Sequence, residues 1–181
     1  MRRLLLAAAL AALLVAPLAR AWTWPADGSV LQPYSFDPNN PYAGGQHRGV
    51  DVAGDTGGPV RAPAAGEVTY VGTVPNSGRS LTITTADGYA VTLTHLGSTS
   101  VAKGATVAEG DVVGTIGPSG DPEVGGAYVH LGIRLASDPQ GYLDPASLLP
   151  ARAPAPPAHG PDPAPAAPAG DPAPTATTDT P

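Results

Sequence analysis

Histidine is scarce in this chain, and its placement is the first chemical clue. Of four histidines, three lie in short motifs: His47 in His47-Arg48-Gly49-Val50-Asp51, His95 in Thr94-His95-Leu96, and His130 in Tyr128-Val129-His130-Leu131. The fourth, His159, stands in a proline-rich stretch with no chemical neighbour of note. Neutral imidazoles with one carboxylate, here Asp51, are the ligand set of hydrolytic zinc sites, which keep one coordination position open for water. Each motif alone is weak, since a lone histidine in a strand is usually packing or surface and an aspartate in a glycine-rich loop usually shapes a turn. Their joint order, with no histidine left over between Trp22 and Pro150, is far more specific.

Something must bring these residues together. His47 and Asp51 are about 13 Å apart on a straight strand, so the segment has to bend, and Gly49 at its centre is expected to give the freedom to do so. The surrounding sequence from 22 to 150 reads as all-β. Short runs rich in Val, Thr, Ile and Tyr alternate with Gly, Pro, Asp and Asn, and no long stretch has helical periodicity. Strands are expected over 66–72, 80–85, 89–95 and 127–135, with a primed hairpin turn at Asp87-Gly88. Alternation along 89–95 groups Tyr89, Val91, Leu93 and His95 on one face. Along 127–135 it groups Tyr128, His130 and Gly132 against Val129, Leu131 and Ile133. The stretch 101–117 has two glycine-punctuated turns, as in small β-sandwiches whose strands switch sheets, and 146–149 is expected to form one helical turn.

The two ends differ from this middle. Residues 1–21 combine Met1-Arg2-Arg3, an apolar run from Leu4 to Leu18 and Ala19-Arg20-Ala21, the pattern of a cleaved secretory signal peptide. A retained membrane anchor is the competing reading, but the run is short for a span and ends at a charge, so no stable span is expected after cleavage. Residues 151–181 are mostly Pro, Ala, Thr, Asp and Gly, too poor in apolar area to offset the entropy of ordering, and read as a disordered spacer. Loss of the leader's arginines makes the mature chain more acidic than the net charge of −6, and Lys103 is the sole lysine. Nucleic acid is therefore excluded as a partner, because phosphate neutralisation needs clustered Lys and Arg. With no cysteine, an exported domain must rely on an apolar core, a metal or both.

Taken together, the motifs resemble the lysostaphin/LytM-type family of zinc metallopeptidases, which cleave peptide bonds in peptidoglycan. The resemblance rests on His-x-Gly-x-Asp at 47–51, PVRAPAAGEVTYVG at 59–72, Thr94-His95-Leu96 and x-His-Leu-Gly-Ile at 129–133, and it covers about 46–145. It implies an antiparallel β-sandwich of duplicated, barrel-sandwich-like motifs with a groove over the sheet, Zn2+ held by His47, Asp51 and His130, and His95 as a catalytic histidine. The implied substrate is the peptide stems or cross-bridges of peptidoglycan, cut by a monomer secreted into the bacterial cell envelope.

In one respect the chain departs from the family. The closing motif is normally His-x-His, whose first histidine assists catalysis, and Tyr128 stands at that position. A phenol can donate to a developing oxyanion, but a pKa near 10 makes it a poor base at neutral pH. A zinc-retaining, catalytically weak wall-binding or regulatory module is thus the alternative to an enzyme. A third reading, a lipoyl- or biotinyl-type carrier modified at Lys103, lacks the flanking residues such carriers present. Arg48 and Arg134 are candidates for substrate carboxylates or are simply solvated. Glu123 is a conceivable proton shuttle, Asp55, Asp111 and Asp121 are read as turn formers, and Trp22 and Trp24 as the closure of a core edge.

Overall fold

In the computed structural model residues 22–152 are described. The expected signal peptide, and all of the expected tail except Ala151 and Arg152, lie outside them. The β-branched runs form eleven strands: β1 (Val30–Gln32), β2 (Val50–Ala53), β3 (Pro59–Arg61), β4 (Gly66–Val74), β5 (Gly78–Thr84), β6 (Tyr89–Thr94), β7 (Leu96–Thr99), β8 (Thr106–Val107), β9 (Val112–Ile116), β10 (Tyr128–Leu135) and β11 (Tyr142–Leu143). The only helical element among the described residues is the 3-10 turn Pro145–Ser147, capped by the Asp144 carboxylate, which accepts from Ala146 N–H. It begins one residue before the expected turn, because proline with its preset φ suits the first helical position.

The larger sheet runs β1-β2-β10-β6-β5-β4-β8, with β11 added beside β10, and the smaller is β3-β9-β7. All pairings are antiparallel. The fold is therefore the expected all-β, antiparallel architecture. Alternation sends Val52, Leu81, Ile83, Val91, Leu93, Val129, Leu131 and Ile133 from the larger sheet into one core, which Val60, Leu96, Val113 and Ile116 close from the smaller sheet. Burying each such side chain is worth about 1.5–3 kcal/mol relative to exposure. This core holds the domain without disulfides.

The other face of the large sheet carries the polar residues. Asp51 on β2, His130 on β10 and Thr94 on β6 are cross-strand neighbours in one row, with His130 between the other two. The hairpin joining β5 to β6 differs from the expected primed turn. Of its residues only Gly88 has positive φ, 83°, and Gly88 N–H closes the turn on Thr85 carbonyl. This is the longer loop in which a single left-handed glycine follows an ordinary turn.

Trp22 meets Tyr89 edge to face at 5.7 Å, and Trp24 donates its indole N–H to Pro150 carbonyl. The Arg152 guanidinium lies 4.2 Å from the centre of the Trp24 ring and donates to Ala26 carbonyl. Both tryptophans close a core edge. Among the described residues, no helix is long and apolar enough to cross a membrane.

Candidate metal centre and catalytic pair

The approach to the centre begins before β2. His47 pairs with Ser35 through two backbone hydrogen bonds, and its ring Nδ1 lies 2.9 Å from Pro33 carbonyl. A carbonyl can only accept, so Nδ1 carries the proton and Nε2 presents its lone pair. That lone pair faces Asp51 Oδ1 at 3.2 Å and His130 Nδ1 at 3.1 Å, and the last two atoms are 2.8 Å apart. His47 and His130 stack edge to face at 4.8 Å.

Gly49 takes a role other than the expected one. Its φ is not in the left-handed region; what matters is space. A β-carbon there would lie 2.3 Å from Leu131 carbonyl oxygen and 2.6 Å from His130 Nε2. Glycine lets the His47–Asp51 segment pass close against β10, and this contact brings residues four and eighty apart in sequence to one point.

The three atoms form a compact triangle suited to a divalent cation, and together they are a group that could hold a metal ion. Tetrahedral zinc bonds of 2.0–2.2 Å would separate ligand atoms by about 3.3–3.6 Å, close to the distances found. Asp51 is fully buried, and its second oxygen, Oδ2, has no hydrogen-bond partner. An unpartnered buried carboxylate oxygen is costly unless a cation compensates it. Pro33 carbonyl meanwhile orients the His47 ring in the manner of an outer-sphere partner of a metal ligand. His130, with 18% of its side chain exposed, is the member that meets the groove.

The electrostatics agree. Burial pushes the Asp51 carboxyl up, but hydrogen bonds from His130 and His47, and their charge, overcome it and hold the pKa at about 2. Burial pulls His47 down, yet the Asp51 hydrogen bond, the Pro33 carbonyl and the charges of Asp51 and Glu123 raise it above its ordinary value. A depressed carboxyl and a raised imidazole both mark a place that favours positive charge.

A pH dependence follows for the metal-free protein. The Asp51 contribution to stability is present above the ordinary 3.8 and lost as pH falls toward 2. The His47 contribution is complete below the ordinary 6.5 and lost as pH rises through the raised value. Chelator-treated protein should therefore melt at lower temperature at pH 8 than at pH 6. The stabilisation gained on adding zinc should grow over the same interval, because metal and proton compete for the imidazoles. Thermal melts at both pH values, with and without zinc, check this; a zinc increment larger at pH 6 would contradict it.

His95 reaches the groove by a route that alternation does not give. Val91 and Leu93, its expected companions, are fully buried in the core. The chain instead turns at His95, whose φ is 60°, a left-handed conformation that costs on the order of 1 kcal/mol for a residue with a β-carbon. The turn ends β6, sends β7 into the other sheet, and swings the imidazole to the polar side. His95 then shares a cavity of about 160 Å3 with Thr92, Thr94 and His130.

There His95 meets Tyr128. His95 Nδ1 lies 2.9 Å from Ser119 carbonyl, so it is protonated and Nε2 accepts. Tyr128 hydroxyl donates to that Nε2 at 3.3 Å while its oxygen accepts Glu123 N–H at 3.0 Å. Burial, with the charges of Asp51 and Glu123, raises the Tyr128 pKa against the smaller opposing effect of Glu123 N–H. The phenol is a neutral donor at physiological pH. Glu123 joins this pair through its backbone and borders the cavity.

The structure thus gathers the five expected site residues into two neighbouring sets, His47–Asp51–His130 and His95–Tyr128. Arg48 departs from the simple solvated reading, since its guanidinium lies between the Phe36 and Tyr142 rings, 5.2 and 5.4 Å from their centres. Asp111 is the expected turn former, accepting Ala108 N–H. Sequence reading missed Pro33 and Ser119. Both act through main-chain carbonyls, which carry no residue-type signature.

Fold and site together describe an antiparallel β protein with a cluster of three residues that could hold a metal ion, in a groove on one sheet. The sequence model of peptidase family M23 matches residues 45–142, and the chain belongs to that family. The Escherichia coli K12 protein called uncharacterized lipoprotein YgeR is 31% identical over 72% of this chain and 50% of its own length. The DD-carboxypeptidase/endopeptidase Mpg of Neisseria meningitidis serogroup B is 34% identical over 51% of this chain and 21% of its own length. The chain thus spans half or less of these two relatives. In solved structures the fold is similar to lysostaphin from Staphylococcus simulans, with a TM-score of 0.61, 23% identity, and 72% and 53% of the two chains covered.

Proposed function

We propose that this protein is a zinc metalloendopeptidase that hydrolyses peptide bonds of bacterial peptidoglycan in the cell envelope. The single observation that carries the reading is the convergence of His47 Nε2, Asp51 Oδ1 and His130 Nδ1 at 2.8–3.2 Å, next to a cavity that His130 shares with His95. When bound there, zinc supplies Lewis acidity, polarising a peptide carbonyl and acidifying water. Asp51 neutralises charge from below, and Pro33 carbonyl keeps the His47 lone pair aimed inward. Tyr128, neutral and partly held by Glu123 N–H, donates its hydroxyl proton toward negative charge developing on the carbonyl oxygen. His95 Nε2 would take up a proton from the attacking water and return it to the departing amine, with Ser119 carbonyl stabilising the cationic ring through Nδ1. The relative named as a carboxypeptidase and endopeptidase supports peptide hydrolysis, and the relative named as a lipoprotein supports an envelope location.

One observation favours a second reading. The hydroxyl of Tyr128 occupies the His95 lone pair, so the base is engaged in the resting protein. A module that keeps its metal and regulates other wall hydrolases would be built this way. Purified protein incubated with peptidoglycan of several cross-link types should release new amino termini, stop on chelation and resume with zinc. Stoichiometric zinc without release of amino termini from any wall would refute hydrolysis and favour regulation.

A further inference from the structure

The chemistry proposed above leaves one part of the groove unused. The cavity containing His130 and His95 also reaches two arginines, Arg48 and Arg134. Neither forms an ion pair with a carboxylate among the described residues, whereas Asp51 pairs with its two histidines. In a chain of net charge −6, two guanidiniums in one cavity without a direct carboxylate partner suit an anionic ligand. Glu123 also borders this cavity, yet it is held beside Tyr128 by its backbone and reaches neither guanidinium.

The two arginines are not equivalent. Arg48 is fixed between the Phe36 and Tyr142 rings and donates to Pro41 carbonyl, while its Nε is buried without a partner. It supplies charge more than hydrogen bonds. Arg134 is anchored through one nitrogen only: Nη1 donates to Leu135 carbonyl at 3.0 Å, with the Ala136 and Asp138 carbonyls at 3.5 Å. Its Nη2 and Nε edge makes no bond among the described residues, leaving the planar fork that binds a carboxylate with two parallel hydrogen bonds. Tyr142 links the pair, being the cross-strand partner of Arg134 and a stacking face for Arg48.

The path from metal ligand to arginine is open. His130, Gly132 and Arg134 alternate on the groove face of β10, and a β-carbon at Gly132 would already stand 3.4 Å from Arg48 carbonyl oxygen and 3.6 Å from His130 Nε2. Any longer side chain would fill the floor between them.

We propose that Arg134, backed by the charge of Arg48, is a specificity-determining site for a free carboxylate on the peptide substrate, within about four extended residues of the cleaved bond. The inference rests on the hydrolase reading for its substrate class, and its test separates the two. Two synthetic stem peptides serve as probes, L-Ala-D-isoGlu-L-Lys-D-Ala and its counterpart with both carboxylates amidated. Calorimetry with the zinc-loaded full chain should show the free acid bound at least about tenfold more tightly. Arg134→Gln should abolish this preference while leaving affinity for the amidated peptide unchanged, and Arg134→Lys should restore part of it. Where the peptides are cut, the loss for the free acid should fall on KM and leave kcat unchanged. Equal affinity of the wild type for both peptides overturns the proposal, as does an equal loss on both in Arg134→Gln. Should Arg134→Gln fail to fold, the wild-type comparison and Arg134→Lys decide it. Discrimination between the two peptides, with no amino termini released from any wall, would sustain the carboxylate site and refute the hydrolase.

Discussion

Asp51→Asn should leave a folded protein that neither retains zinc nor cuts peptidoglycan. The change is nearly isosteric, and Asp51 sits fully buried between two strands of the main sheet, so its packing is kept. What disappears is the only negative charge touching both histidines. An amide in its place either presents N–H groups to the His47 and His130 lone pairs or offers one neutral oxygen to the metal. Zinc affinity should drop by at least about a hundredfold, more than is usual for loss of an outer-sphere partner. If the cation contributes several kcal/mol to stabilising the transition state, turnover should fall by about a thousandfold or more. His95→Ala should behave differently, keeping one zinc per chain while losing about 10²–10³ in rate. Metal analysis beside an assay of released amino termini distinguishes the two. An Asp51→Asn protein that held zinc as tightly as wild type would remove Asp51 from the ligand set.

How much of this was legible beforehand depends on what each residue contributes. Strand periodicity is local, so β4, β5, β6 and β10 could be read within one or two residues, and the division of β10 into a core face and a groove face followed from alternation alone. His95 could not be placed that way. Alternation puts it on the same face as Leu93, which proves to be the core face, and only the need for the chain to leave one sheet and enter the other, achieved at a positive φ, turns it to the groove. Gly49 was identified as necessary, but for a local reason. Its actual constraint is the β10 backbone and the His130 ring, more than eighty residues away, and a sequence offers no distance between them. The same limit applies to Arg48: its flanking rings, Phe36 and Tyr142, come from opposite ends of the domain. Side-chain chemistry that repeats locally can be read from a sequence, while contacts through backbone carbonyls or across the fold require the folded chain.

Tyr128→His should convert a slow centre into a fast one, raising kcat by about a hundredfold with zinc content unchanged. In the resting protein the phenol spans from β10 to His95 Nε2 and is steadied by Glu123 N–H. Its raised pKa makes it a donor throughout the physiological range, and that donation satisfies the lone pair His95 needs for proton transfer. Histidine at 128 is shorter, so His95 Nε2 is released. It also adds a group whose ordinary pKa near 6.5 lets it exchange protons at neutral pH. The pH profile should then acquire a limb that wild type lacks. Tyr128→Phe separates the two effects, since it frees His95 but supplies no donor. Equal activation by Phe and His would mean that the hydroxyl acts mainly as a block. Activation by His alone would mean that the wild-type centre lacks a proton carrier. If both substitutions abolish an existing activity, the tyrosine is itself the working donor to the oxyanion, and the enzyme has exchanged an imidazole for a phenol without loss of function.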